Sequence, residues 1–377
     1  MARKKKEGGL ILKGTYDFTL LITVFILLGL GIVTVLSASS PTALNETGDN
    51  SYKYVIQQIK AAAIGIFLMF VLSKVDYKIW QKNYKVIFTF CILLLLGVCI
   101  LGASSGGATR WLNLGFISFQ PSEVAKVGVI IFYAAWLTKN KDKLKSIKEG
   151  FFIPWAIMLP MIFIVLILQN HFSATLVLCM LVAILMILAG CRMRYFIMLG
   201  VPVAVIGVVA LITMGQGFRL QRLVTFFDPW QDLANTGWQI VQSLYAIGSG
   251  GLFGVGLGES KQKYLYIPEP HNDFIFAVLA EELGFIGCAV VIILFAVLIW
   301  RGMTISMKAP DMFGSLLAAG ITSMIAIQVL INIAVVTASM PVTGMALPFF
   351  SYGGTALMIN LAAMGILLSI SRAGNKE

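Results

Sequence analysis

A single carboxylate stands out in this apolar chain because of its position. Asp273 follows two prolines in the motif PEPHND at residues 268–273. Because proline restricts the backbone, the sequence predicts that Asp273 stands at the start of a long apolar helix. A carboxylate there can act as a general base or as a metal ligand, or it can cap the helix by accepting N–H groups. These alternatives stay open on local sequence alone.

Two further carboxylates, Glu281 and Glu282, follow about two helical turns deeper in the same apolar run. Carboxylates at such a depth are costly and are usually paired or facing a wet cavity. Lys261 and Lys263 precede them and supply cations for these carboxylates or for a phosphorylated substrate. Both a structural ion pair and a catalytic role are therefore open for the two glutamates.

Arginines and flexible backbone occur together ahead of that run. Arg219 and Arg222 precede a glycine-rich stretch at residues 248–258. Arginine side chains and free backbone N–H groups both bind phosphate oxygens, so this region is a candidate pyrophosphate site. Alternatively, the arginines pair with nearby aspartates and the glycines only permit close backbone approach.

A third polar cluster lies at the head of another apolar run, in the motif QPSEVAK at residues 120–126. Glu123 and Lys126 are three residues apart, so they can pair across one helical turn. They are expected either to form a buried ion pair that locks helices or to contact a substrate. Arg110 adds a cation in the preceding loop.

The last two apolar runs carry amides and an interrupted backbone. Gln328, Asn332 and Asn360 lie within these runs, and Ser351 belongs to the motif LPFFSYGG at residues 347–354. Amides in apolar helices usually hydrogen-bond between helices, but they can also line a polar path. Ser351 and Asn360 are candidate substrate contacts, since non-helical backbone at this depth needs protein or a wet cavity around it.

Membrane-spanning helices must position these residues. Of 377 residues, 59% are hydrophobic and only 12% are charged, and the mean hydropathy is +0.90, which excludes an ordinary soluble domain. A span takes about 20 apolar residues, and ten apolar runs qualify: 17–38, 55–73, 85–103, 121–138, 151–169, 173–190, 195–214, 273–299, 312–336 and 353–371. We therefore predict an all-α polytopic membrane protein with about ten transmembrane helices, forming a single domain over residues 1–377.

The positive charges predict the orientation. Threading the ten runs in order puts both termini and 20 of the 28 Lys and Arg residues on one side, which is then cytoplasmic. Residues 1–16 form a basic cytoplasmic tail, and residues 215–272 form a large extracytoplasmic loop between helices seven and eight. Within that loop, residues 238–247 are predicted to form an interfacial helix. The net charge of +11 thus reflects orientation and not nucleic-acid binding.

The cysteines and histidines do not indicate a metal site of their own. The five cysteines lie in or beside apolar runs without paired spacing, which favours a role as small buried side chains. The two histidines form no cluster with cysteine, which argues against zinc.

Taken together, the motifs resemble the SEDS family of bacterial shape, elongation, division and sporulation proteins. The resemblance rests on RWL at 110–112, QPSEVAK, PEPHNDFIFA at 268–277 with the following EELG, and LPFFSYGG, and it covers almost the whole chain. Residues 258–270 are more similar to the division and sporulation branch than to the elongation branch. One position departs from the family pattern: His171 stands where a carboxylate is usual.

The resemblance implies a peptidoglycan glycosyltransferase. Such an enzyme polymerises lipid II into glycan strands by inverting transfer on the outer face of the bacterial cytoplasmic membrane, here in division or sporulation and with the septum as an expected location. Asp273 then corresponds to the essential loop aspartate, Glu123 and Lys126 to the polar fourth-span pair, and Arg110 to the outer-loop arginine. The implied partners are undecaprenyl-linked glycan, a single-span class B penicillin-binding protein and other division proteins.

Positive charge at the leaving pyrophosphate is the remaining requirement. The candidates for supplying this charge are Arg219, Arg222, Lys261 and Lys263, or a divalent cation, Mg²⁺ or Mn²⁺, held by Asp273. A flippase for lipid-linked precursors and a scaffold for the penicillin-binding protein stay open as alternative functions. Because the richest polar set lies on the outer face and not at the bilayer midplane, the enzyme is favoured.

Overall fold

The structure is a computed structural model that describes residues 14–48, 50–105, 108–113, 118–198, 200, 225–232, 236–264 and 266–374. Seven helices in this part of the chain are long and apolar enough to cross a membrane, which confirms a helical membrane protein. Among the described residues, helices occupy nine of the ten predicted spans. The seventh span, at 195–214, lies mostly outside the described residues, so the total of ten stays a prediction.

The described residues up to 188 contain six α-helices: α1 (Phe18–Thr47), α2 (Lys53–Lys74), α3 (Lys78–Leu101), α4 (Pro121–Lys139), α5 (Ile153–Phe163) and α6 (Phe172–Leu188). A short 3₁₀ turn, Lys141–Lys143, follows α4. π-helical turns at Lys148–Phe152 and Ile164–Leu168 extend α5 at both ends. The fifth span therefore runs over Lys148–Leu168.

A small antiparallel sheet between α3 and α4, which the sequence did not predict, accompanies the helices. Its strands β1 (Ala103–Ser105), β2 (Ala108–Asn113) and β3 (Ser118–Phe119) pair in the order β1-β2-β3. In the register of β2 and β3, Leu112 stands opposite Phe119. Strands this short show too little alternation for a sequence pattern to predict them.

Four longer helices follow in the part of the chain described from residue 236 to 374: α7 (Thr236–Gly250), α8 (Ile275–Lys308), α9 (Met312–Val336) and α10 (Gly354–Gly374). A 3₁₀ turn, Pro229–Asp232, precedes α7. The helix predicted at 238–247 is confirmed as part of α7, which packs against α8 and buries Ile240, Val241 and Ala246.

Helices α9 and α10 form the centre of the bundle. Their apolar spans are 72% and 78% buried within the protein, whereas the other five candidate spans are between 22% and 44% buried. Helix α10 also lies very close to α2. A Cβ at Gly365 would stand 2.4 Å from the Met69 carbonyl oxygen. Small residues at helix contacts allow such close packing in membranes.

Contacts at one end of the bundle join the two ends of the described chain. Arg301, near the end of α8, forms an ion pair with Asp17 at 2.5 Å. The Arg372 Nε donates to the Gly14 carbonyl at 3.1 Å. Both ends of the described residues therefore lie on the same side as the end of α8, as the even number of predicted spans requires. The positive charge there indicates the cytoplasmic side.

Helix α8 is broken at Gly284, where φ is 65°. The loop after α7 inserts at the break. The Val255 N–H donates to the Glu281 carbonyl at 3.0 Å, and the Phe285 N–H donates to the Gly251 carbonyl at 2.9 Å. Loop backbone thus replaces helix hydrogen bonds, which a non-helical backbone surrounded by protein requires.

The break divides α8 into two environments. Residues 275–282 are buried by protein on all sides, whereas Phe285, Ile286 and Val290, beyond the break, are exposed. Exposed apolar side chains of this kind face lipid in a membrane protein. The first part of α8, which follows Asp273, is thus enclosed by protein, and the second part belongs to the lipid-facing surface.

Candidate active site

Asp273 lies in the turn before α8, two residues ahead of the first helical residue. The predicted helix start at Asp273 is therefore too early, and Phe274 takes the N-cap position that local sequence left open for Asp273. The Asp273 side chain is half-buried. Its Oδ2 faces the exposed Gly344, since a Cβ there would stand 3.3 Å from that oxygen. The carboxylate thus lies at an accessible surface and close to the backbone of Gly344.

Gly344 belongs to the outer segment, which we define as residues 337–353 between α9 and α10. Its backbone is non-helical, and it reaches deep into the bundle, because a Cβ at Gly31 in the middle of α1 would stand 2.2 Å from the Phe349 carbonyl oxygen. The Ser173 hydroxyl on α6 donates to the Thr343 carbonyl. The interrupted backbone predicted at 347–354 is thus confirmed, and protein surrounds it.

Asn332 joins the outer segment to the turn that carries Asp273. Its Nδ2 donates to the Asp273 carbonyl at 2.8 Å and to the Met345 carbonyl at 2.7 Å. The sequence predicted a hydrogen bond between helices, whereas the structure pairs this amide with backbone carbonyls of the turn before α8 and of the outer segment. Helix α9 therefore fixes the backbone at Asp273.

Glu282 forms the ion pair that the sequence left open. Its carboxylate accepts from Lys263 at 2.9 Å and from the Ser37 hydroxyl of α1 at 2.6 Å. Lys263 also donates to Ser37 at 3.0 Å and to the Gly258 carbonyl at 2.5 Å. An ammonium has three protons, so these three acceptors leave Lys263 none for a substrate in this structure.

Glu281 holds the loop in a different way. Its carboxylate accepts from the Ser260 hydroxyl at 2.5 Å, from the Lys261 N–H at 3.0 Å and from the Gln262 N–H at 3.3 Å. These three donors satisfy the hydrogen-bonding capacity of this carboxylate in its buried position. Both glutamates therefore anchor the chain that leads to Asp273, and the side chain of Lys261 remains exposed on the loop surface.

A cluster of cations lies at the outer ends of α4 and α6. Glu123 and Lys126 form the predicted ion pair across one turn, at 2.8 Å. Arg110 on β2 donates to the Asn170 carbonyl at 2.7 Å. Burial, followed by the charges of Arg110 and Lys126, lowers the pKa of His171 to about 3. At the position where the resemblance to the SEDS family implies a carboxylate, the chain thus has a neutral imidazole beside two cations.

Aromatic rings surround the chain just before Asp273. The Tyr54 and His271 ring centroids are 4.4 Å apart, and the Tyr352 ring contacts both. The Tyr352 N–H donates to the His271 carbonyl at 2.8 Å. Burial lowers the pKa of His271 to about 4, although Glu269 and Glu46 act to raise it. His271 is therefore neutral at physiological pH.

The other candidates differ in what surrounds them. The Ser351 hydroxyl is buried and accepts the Leu347 N–H at 2.7 Å, so it holds the turn before α10. The Asn360 side chain is buried on α10, and its Oδ1 has no partner among the described residues. Arg219 and Arg222 lie outside the described residues.

The described residues fit a divalent cation only with help from a substrate. They contain no group of three or more His, Cys, Asp or Glu side chains that could hold a metal. Mg²⁺, however, usually binds one or two protein carboxylates together with substrate phosphates and waters. Asp273 can supply such a carboxylate at its accessible surface, and a substrate pyrophosphate would supply the phosphate oxygens.

Comparison with known proteins decides the family. The model of the FtsW/RodA/SpoVE family, described as "Cell cycle protein", matches residues 18–376. The chain belongs to this family. Among its relatives, Stage V sporulation protein E of Bacillus subtilis (strain 168) is 41% identical over 362 residues, which cover 96% of this chain and 98% of that protein. The "Probable peptidoglycan glycosyltransferase FtsW" of Geobacter sp. (strain M18) is 41% identical over 358 residues, covering 94% and 96%.

Solved structures agree over nearly the full length of this FtsW/RodA/SpoVE-family chain. A chain from "Structural coordination of polymerization and crosslinking by a peptidoglycan synthase complex" has a TM-score of 0.81 and 26% identity, covering 96% of this chain and 99% of that one. The rod shape determining protein RodA of Thermus thermophilus has a TM-score of 0.69 and 26% identity, with the same coverages. The resemblance inferred from the motifs is thus confirmed.

Two neighbours of Asp273 were not predictable from the sequence. In the sequence Gly344 looks like any other loop glycine, although its φ of 70° favours glycine at this position. Asn332 stands out as an amide in an apolar helix, but the sequence does not show that its partners are backbone carbonyls 59 and 13 residues away.

Proposed function

We propose that this chain is a peptidoglycan glycosyltransferase that polymerises lipid II into glycan strands on the outer face of the cytoplasmic membrane. The observation that carries the proposal is the half-buried Asp273 carboxylate, held at an accessible outer surface by Asn332 and facing Gly344. It is supported by relatives that are named probable peptidoglycan glycosyltransferases.

In the proposed reaction, the sugar 4-hydroxyl of one lipid-linked disaccharide attacks the anomeric carbon of another. The C–O bond to pyrophosphate breaks with inversion, and undecaprenyl pyrophosphate leaves. Asp273 accepts the proton of the attacking hydroxyl. A positioned base of this kind contributes about 10²–10⁴-fold to the rate. The hydrogen bond from Asn332 to the Asp273 backbone supports this role, because the turn is held by a buried group.

Pyrophosphate leaves easily once its charge is stabilised, so cations matter more here than a general acid. Arg110 on β2 and Lys126 near the start of α4 are two cations for this role, and both lie near enough to His171 to act on its pKa. The exposed Lys261 is a further cation for this role, as are Arg219 and Arg222. Asn360, whose buried Oδ1 has no partner among the described residues, remains a proposed substrate contact, as does Ser351.

A divalent cation, Mg²⁺ or Mn²⁺, held by Asp273 and the substrate pyrophosphate, would neutralise the charge of the leaving group. Asp273 would then act as a ligand, and another base would be required. A dependence of the reaction on added cation distinguishes these two roles of Asp273.

The proposed setting is a multi-pass protein of the bacterial cytoplasmic membrane that works at the division septum with other division proteins. Its proposed partner is a single-span class B penicillin-binding protein. The similar chain from a peptidoglycan synthase complex supports such an assembly.

The test is gel-resolved polymerisation of labelled lipid II by the purified protein with its cognate partner in detergent micelles. Micelles have no compartments, so a flippase gives no product there. We expect glycan chains from the wild type, and a loss of chains on chelation if the cation is required. A correctly assembled complex that forms no polymer with or without added Mg²⁺ or Mn²⁺ would exclude the proposed function.

A further inference from the structure

A buried amide on α9 holds the backbone of Asp273. The Asn332 side chain is 1% exposed, and its Nδ2 lies 2.8 Å from the Asp273 carbonyl oxygen and 2.7 Å from that of Met345. Because both neighbours are carbonyl oxygens, only the nitrogen side of the amide can face them. The orientation of the amide is therefore determined by its partners.

The second carbonyl places this amide behind the carboxylate. Met345 directly follows Gly344, and a Cβ at Gly344 would stand 3.3 Å from Oδ2 of Asp273. One side chain thus sets both the backbone that carries the carboxylate and the backbone that the carboxylate faces. Asn332 lies four residues before the end of α9 at Val336, so its support comes from a regular and well-buried helix.

We propose that Asn332 is the positioning residue of Asp273: through these two carbonyls it sets where the carboxylate stands relative to the hydroxyl that it deprotonates. This inference rests on the proposed function of Asp273. Asn332 bonds the backbone of the Asp273 turn, and it acts on the reaction through Asp273. Its removal therefore lowers kcat and leaves the KM for lipid II nearly unchanged. A displacement of about 1 Å at a reacting group costs on the order of 10²-fold in rate.

Three substitutions of Asn332 separate positioning from bulk stability. Asn332→Leu removes both donors at similar volume, and Asn332→Gln keeps the amide on a longer stem. Asn332→Asp keeps the shape but turns oxygens towards the two carbonyl oxygens. The matched control is Gln328→Leu, which removes another buried amide one turn earlier on the same helix.

The measurement is the initial rate of lipid II polymerisation as a function of lipid II concentration, with the unfolding midpoint of each variant in detergent. We expect Asn332→Leu to lower kcat by about 10- to 100-fold with KM within about twofold. Asn332→Asp loses at least as much, Asn332→Gln retains more activity than Asn332→Leu, and Gln328→Leu stays within about twofold of the wild type.

Several results would overturn the proposal. These are a wild-type kcat in Asn332→Leu or Asn332→Asp, a loss that appears only in KM, or an equal loss in Gln328→Leu. If Asn332→Leu does not fold, the comparison of Asn332→Asp with Asn332→Gln decides in the same way. Asp273→Asn, measured in parallel, separates the two claims. Full activity in Asp273→Asn rejects the role of Asp273 itself, whereas an inactive Asp273→Asn beside a fully active Asn332→Asp rejects only the positioning role.

Discussion

Breaking the ion pair between Lys263 and Glu282 should destabilise the protein by an amount that follows from the burial of both side chains. The two side chains are 4% and 1% exposed and lie 2.9 Å apart. Lys263→Met would leave the Glu282 carboxylate buried, with the Ser37 hydroxyl as its remaining side-chain partner among those described. Removing one partner of a buried pair costs about 3–5 kcal/mol. We expect a destabilisation of that size, and a loss of polymerisation because the loop leading to Asp273 loses an anchor.

A double-mutant cycle isolates the ion pair. Lys263→Met together with Glu282→Met replaces the pair by apolar side chains of similar volume, which is often close to neutral. We expect the double variant to recover most of the stability that Lys263→Met loses. The assay is the unfolding midpoint, in detergent, of the wild type, the two single variants and the double variant. Polymerisation of labelled lipid II is measured on the same samples. Lys261→Met, which changes an exposed lysine of the same loop, serves as the control for stability.

Two outcomes would refute this interpretation of Lys263. A Lys263→Met protein as stable as the wild type would mean that the buried pair does not hold the loop. A double variant that is stable but inactive would mean that the ammonium contacts the substrate, which is the role that the sequence left open. Recovery of both stability and activity in the double variant would assign Lys263 to the structure of the loop.

Three further predictions concern the same outer region. Gly344→Ala places a methyl group 3.3 Å from Oδ2 of Asp273 at a φ of 70°, so we expect initial polymerisation rates to fall about tenfold while lipid II binding is retained. Gly284→Ala puts a Cβ 2.3 Å from the Gly254 nitrogen, and it should lower the unfolding midpoint and speed proteolysis of the α7–α8 loop. The pKa of His271 is lowered to about 4 in the folded protein, so as pH falls below about 6.5 the imidazole is protonated in the unfolded state before it is protonated in the folded state. The free energy of unfolding should therefore drop by on the order of 2 kcal/mol at pH 5. His271→Gln should make the unfolding midpoint less dependent on pH in this range.

The spans were predictable because apolar length is a direct physical requirement of the bilayer. The ninth apolar run, 312–336, coincides with α9, Met312–Val336. Helix ends were less predictable where a helix continues into a polar region. The first apolar run ends at residue 38, whereas α1 continues through Pro41 to Thr47. Backbone hydrogen bonds can extend a helix beyond the membrane, so the end of apolar sequence is not the end of the helix.

Local pairs were predictable and distant ones were not. The spacing of Glu123 and Lys126 predicts their ion pair, because residues three apart share a helix face. The partner of Glu282 on α1, Ser37, lies 245 residues away, and no spacing rule relates them. The same limit applies to Gly344, which meets Asp273 only because the outer segment folds back into the bundle.

Removal of the Asp273 carboxylate tests the central claim most directly. The measurement is polymerisation of labelled lipid II in micelles by wild type, Asp273→Asn and Glu269→Gln, with lipid II binding measured for each. Glu269→Gln removes an exposed carboxylate from the same loop and is the matched control. We predict that Asp273→Asn binds lipid II within about twofold of the wild type and polymerises it about 10²–10⁴-fold more slowly, while Glu269→Gln stays active. Polymer formation by Asp273→Asn at the wild-type rate would contradict the assignment of Asp273 as the catalytic carboxylate.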